Sequence, residues 1–225
     1  MFEELTSHRQ LRKLVAEQLR TAILEGRFKP GEWLRQEKLA QELNVSQMPV
    51  REALKELAAE GLIEHVPYRG ARVVEFAPED VLDLYEHRAY LEGRGAEFAS
   101  EKITGEELKE LKEMAEQMAA LPPEKIAEYR KINRAFHALI FHASGHEYLT
   151  RTLTQMWETF PTMLIGNFPF SAQNPLPERD LQDQQEHLAI IAGLEARNGG
   201  QAREAMRAHI LSAATHLIQS LKASK

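Results

Sequence analysis

Two groups of residues in this 225-residue chain have the types and spacing to do chemistry. Gln47, Arg51 and Lys55 recur at intervals of four in QMPVREALK. On a helix they stand on one face. Arginine can bond guanine O6 and N7 together, and glutamine can do the same to adenine N6 and N7. The second group is histidines. His187 and His209 lie mid-helix beside apolar residues (Leu188 and Ile190; Ile210 and Leu211), and His137 follows Asn133 by one helical turn. Neutral imidazoles suit zinc, nickel and other first-row divalent ions. Each group also has a plainer reading. A polar helix face can be ordinary solvated surface, and a lone histidine on an apolar face is usually a satisfied core residue. His142 and His146 share the i, i+4 spacing, but Gly145 interrupts the helix between them.

The elements that would position these residues can be read in order. Leu11, Leu14, Val15, Leu19, Ile23 and Leu24 give an amphipathic helix over 8–27, ended by Gly26 and Pro30-Gly31. A short helix follows over Gln36–Leu43, with Asn44 as a left-handed turn residue. Ser46 then serves as N-cap of a third helix, its hydroxyl accepting from a free N–H of the first turn. Pro49 falls at the third helical position, where its missing N–H costs nothing. Val50, Ala53, Leu54 and Leu57 form the apolar face opposite Gln47, Arg51 and Lys55, and Gly61 closes the helix. Residues 62–66 and 70–74 read as two strands around Pro67-Tyr68-Arg69-Gly70. Helix, helix, tight turn, helix and hairpin make a winged helix-turn-helix, whose third helix reads the major groove.

From residue 78 the pattern is helical throughout: 78–102, 105–120, 124–144, 147–165, 179–197 and 201–221, with a loop at 166–177. The expectation is a mainly α protein of two domains. A winged helix-turn-helix with a small hairpin wing spans 1–77, and an antiparallel bundle of six helices spans 78–225. A bundle interior of that kind can host a ligand or metal. Three histidines on three of its helices then carry more weight than any one of them alone.

Composition sets limits on function. There are no cysteines, which excludes disulfides, thiolate metal sites and cysteine nucleophiles. No apolar run approaches a membrane span, and the N-terminus lacks the core of a secretory signal, so a cytoplasmic protein without membrane partners is expected. Residues 1–77 hold 12 Lys+Arg against 12 Asp+Glu, and the remaining 16 and 22 account for the net charge of -6. Neutral balance permits a local basic face for DNA, although composition alone would not have suggested one.

The stretch VSQMPVREALKELAAEGLIEHVPYRGARV resembles the DNA-binding signature of GntR-family bacterial transcription regulators. The helical remainder resembles the FCD ligand-sensing domain of their FadR subgroup, through Arg88-Ala-Tyr-Leu-Glu92, Asn133-Arg-Ala-Phe-His137, Ala143-Ser144-Gly145, His187 and Ala208-His209. The resemblance implies DNA contacts by Arg35, Ser46, Gln47, Arg51, Arg69 and Gly70, and Met48 and Lys55 of the same helix are expected to join them. The family commonly has Arg-Thr where this chain has Gln47-Met48, so a different operator sequence is expected. It also implies a metal held by a carboxylate, a histidine four residues later and two further histidines. Here Asn133 replaces the carboxylate, with His137, His187 and His209 retained. An amide oxygen is a weaker, uncharged ligand, and the site becomes more favourable to an anion.

Arg88 and Glu92 share a helix face. They form an intrahelical ion pair, or, as the resemblance implies, Arg88 clamps a carboxylate effector. His216 could line the pocket's edge, and Trp157, Phe160, Phe168 and Phe170 its apolar wall. The expected function is a homodimeric repressor on a palindromic operator, released by a small carboxylate and containing zinc or nickel. Two other readings compete: a metal-dependent enzyme using the three histidines, and a bundle that only dimerises. No HExxH motif or Ser-His-acid arrangement supports the enzyme.

Overall fold

The computed structural model of the chain describes residues 2–24, 26–75, 77–122, 125–159 and 177–223. It divides into two compact units after residue 76, and among the later described residues 157–159 group with the first.

The first unit contains α1 (Phe2–Leu24), β1 (Trp33–Leu34), α2 (Gln36–Glu42), α3 (Gln47–Ala59), β2 (Ile63–Val66) and β3 (Gly70–Val73). Its core joins Val15, Leu19 and Ile23 of α1 to Leu39 of α2 and to Val50, Ala53, Leu54 and Leu57 of α3. The apolar stripe read from the sequence is thus the buried face of α3. Leu14, although it belongs to the apolar pattern of α1, is 62% exposed. Asn44 has φ 52°, and Val45 N–H bonds Ala40 O at 3.0 Å, so the chain reverses tightly between α2 and α3.

Two expectations change here. Ser46 does precede α3 with extended φ/ψ of -71° and 163°, but its side chain makes no capping bond. The helix start rests on backbone geometry and on Pro49, which is buried at the third helical position. The wing is also larger than a hairpin. β1 pairs antiparallel with β3, giving a three-stranded sheet ordered β1-β3-β2. A strand of two residues is too short to leave any alternation in sequence. Gly70 at the wing tip has φ 105°, a conformation open chiefly to glycine.

The second unit contains α4 (Pro78–Lys102), α5 (Gly105–Ala120), α6 (Ile126–Ala143), α7 (Glu147–Thr159), α8 (Pro177–Glu195) and α9 (Gly199–Ala223). The expected end of the fourth bundle helix, the loop at 166–177, and Phe160, Phe168 and Phe170 lie outside the described residues. Pro78 opens α4, where Asp80 Oδ2 accepts from Ala77 N–H at 2.9 Å. Thr104 and Glu107 form a reciprocal capping box at α5. Leu111, Phe136, Ile140, Leu153, Ile190 and Ile210 are fully buried or nearly so.

Gly193 sets the closeness of the last two helices. A Cβ there would lie 2.6 Å from the backbone N of Ala202. The two backbones therefore touch at that level. Counting away from the α8–α9 turn along each antiparallel helix, His187 and His209 reach the same height.

Candidate DNA-reading face and buried histidine site

Gln47, Met48, Arg51 and Lys55 are all exposed on α3. Arg51 Nη2 lies 3.1 Å from Met48 Sδ, and Lys55 Nζ bonds Glu52 Oε1 at 3.0 Å. The Lys55 hydrogen bond, against a small opposing effect of burial, holds the Glu52 carboxyl below its ordinary range. Glu52 is thus an internal counter-ion of Lys55. Ser46, Arg35, Arg69 and Gly70 are exposed as well. Arg35 and Arg69 line one cleft of about 520 Å³ with Trp33 and Gln36. The pairing of β1 with β3 brings them together, because Trp33 faces Arg72 and Leu34 faces Ala71 across the sheet.

In the bundle, ligand atoms of His137, His187 and His209 all lie within 4.8 Å of one another. The three residues are 1%, 2% and 4% exposed. The His137 and His209 rings stack with centroids 5.3 Å apart, and His187 sits 4.6 Å from His209. Asn133 Oδ1 is 3.0 Å from His187 Nε2, so the amide oxygen faces the same space. Bonds of 2.0–2.1 Å to a tetrahedral ion imply ligand atoms about 3.4 Å apart. The three histidines could hold such an ion if their ligand atoms drew together by about an ångström, with Asn133 placed against His187 beside them.

Carboxylates surround this set. Glu92 Oε2 lies 2.9 Å from His137 Nδ1, while its Oε1 accepts from Arg88 Nε at 2.9 Å. Burial alone would raise the Glu92 pKa, but the Arg88 charge and the His137 contact override it and hold it at about 2. Burial pushes the His137 imidazole down despite Glu92, which favours the neutral form a metal needs. On the other side, His209 Nδ1 lies 2.9 Å from Glu186 Oε2 and 3.6 Å from Asp183 Oδ1.

Comparison with known proteins gives a family for each of the two units. Residues 11–73 match the model of the bacterial regulatory proteins of the gntR family, and residues 83–212 match that of the FCD domain. This chain belongs to the GntR family. The Nta operon transcriptional regulator of Aminobacter aminovorans is 30% identical over 81% of this chain and 83% of its own. The HTH-type transcriptional repressor GlaR of Escherichia coli is 28% identical over 86% and 90%. In fold, the chain is similar to E. coli McbR/YncC, with a TM-score of 0.69, 23% identity and coverage of 94% and 98%.

This GntR-family protein is accordingly a DNA-binding transcription regulator with an FCD domain, not an enzyme. Among its described residues no helix is long and apolar enough to cross a membrane. Arg88 and Glu92 form the ion pair their spacing allows, but it is buried, with side chains 6% and 0% exposed. His216, half-buried, has Nδ1 2.8 Å from Ser212 O. Trp157, also half-buried, groups with the first unit.

Sequence reading missed Arg130, Asp183 and Glu186. Asp183 and Glu186 precede His187 at spacings of four and one, a signal that becomes visible only once His209 is known to face them. Arg130 stands two turns before His137 on α6 and is only partly exposed. Among the described residues it has no carboxylate partner. Burial, partly offset by Tyr85, lowers its pKa to about 10.

Proposed function

We propose that this regulator acts as a cytoplasmic homodimer, a repressor whose two winged helices read the halves of a palindromic operator. Gln47, Met48, Arg51 and Lys55 address base edges, while Arg35, Ser46, Arg69 and Gly70 position the backbone. A divalent ion, zinc or nickel, is held by Asn133, His137, His187 and His209. When bound, that ion supplies a Lewis-acidic anchor for an anionic effector. Arg88, Glu92 and His216 surround that effector, and Arg130 is added as a guanidinium for its carboxylate.

The observation that carries this reading is the set of three buried histidines, with Asn133 Oδ1 3.0 Å from His187, in an FCD domain. An effector acts only through a difference in affinity between DNA-competent and DNA-incompetent arrangements. The test has two arms. Selected operator DNA should bind Arg51→Ala about 5- to 150-fold more weakly, with relaxed preference at one base pair per half-site. In a thermal-shift screen of hydroxy, sugar, amino and dicarboxylic acids with and without zinc, at least one acid should raise the melting point and release DNA. Full affinity and sequence preference in Arg51→Ala overturns the first assignment. Absence of any zinc-dependent ligand shift overturns the second.

A further inference from the structure

Position 133 carries an uncharged amide, so a cation among the three histidines would be bound more tightly by negative charge supplied from elsewhere. Glu92 is one neighbour, but its charge is already matched by Arg88 at 2.9 Å. Among the described residues a second source is α8. Asp183, Glu186 and His187 lie at i, i+3 and i+4, which puts all three on one face of that helix. Glu186 Oε2 is 2.9 Å from His209 Nδ1, and Asp183 Oδ1 is 3.6 Å from the same atom.

Both carboxylates are held in place by other groups. Glu186 Oε1 accepts from Gln182 Nε2 at 3.0 Å, and Asp183 Oδ2 accepts from the Tyr129 hydroxyl of α6. Their side chains are only 15% and 14% exposed. A carboxylate on Nδ1 fixes the tautomer of a histidine, leaving Nε2 as its ligand atom, and makes that atom a stronger donor.

We propose that Asp183 and Glu186 replace, through His209, the carboxylate that position 133 lacks. The loss of charge at one ligand is thus compensated on a different helix. The inference rests on the three-histidine metal reading given above, and the experiment separates the two.

Zinc affinity of the full, chelator-treated chain is measured by competition with a chromophoric chelator. The parent should bind zinc, and His187→Ala should lose it. Asp183→Asn with Glu186→Gln keeps shape and hydrogen bonding but removes the charge, and should weaken zinc about 10- to 100-fold. Adding Asn133→Asp to that double variant should recover most of the loss. Recovery is the signature of replaced charge. An unrecovered loss assigns the two residues a merely structural role and overturns the proposal. Parent-like affinity in the double variant, with His187→Ala deficient, overturns the proposal alone. A parent that takes up no zinc, or a His187→Ala protein that binds like the parent, overturns the metal reading itself.

Discussion

Replacing Glu92 by glutamine should destabilise the metal-free protein by about 3 kcal/mol at pH 7. Glu92 is fully buried, and its pKa stands at about 2 against an ordinary 4.5. At 1.36 kcal/mol per pKa unit, the folded state favours the ionised carboxylate by about 3 kcal/mol. The range of about 3–5 kcal/mol for breaking one side of a buried ion pair agrees with that value. Its sign follows from linkage. The folded pKa is depressed, so the contribution is complete above the unfolded value of about 4.5 and is lost as pH falls toward 2. Urea unfolding of chelator-treated parent and Glu92→Gln, followed by far-UV circular dichroism, measures both the gap and its pH dependence. The gap should be widest near neutrality and close progressively below pH 4.5. A variant within 1 kcal/mol of the parent at pH 7, or a gap indifferent to acid, would refute the reasoning.

Other perturbations separate the two units and their tasks. Leu54→Ala empties a fully buried site in α3 and should cost about 2–5 kcal/mol, abolishing operator binding while zinc uptake persists. Gly193→Ala drives a methyl group against the Ala202 backbone and should cost about 1–3 kcal/mol, with weakened zinc binding because His187 and His209 are forced apart. Arg130→Met removes a partly buried cation that has no carboxylate partner among the described residues. It should raise the melting point of the ligand-free protein and remove the extra stabilisation by carboxylate ligands. Glu52→Gln releases Lys55 and should tighten DNA about two- to fivefold at low salt, an effect that shrinks as salt rises.

Most element positions were legible in the sequence because they rest on local chemistry. The apolar stripe of α3 had one possible inner face, and Pro49 could be helical only near the start. Residues 105–120 form the helix α5 as read, because Thr104 and Glu107 cap it and Leu121, with extended backbone, ends it. Exposure of individual apolar residues was less legible. Leu82 is 44% exposed and Leu188 51%, since each falls just outside the buried sector of its helix. Periodicity gives a face, but neighbouring helices decide how wide it is.

The histidine site divides in the same way. The sequence by itself determined which residue types were available: three imidazoles, an amide at the position of a carboxylate, and a helix face with arginine and glutamine one turn apart. The tertiary structure alone decided which carboxylates meet which histidine. Glu92 reaches His137 from α4, and Asp183 and Glu186 reach His209 across the narrow α8–α9 crossing. Those contacts join residues far apart in the chain, and local spacing carries no information about them. The same holds for Arg35 and Arg69, which share a cleft through a two-residue strand that only its pairing with β3 reveals.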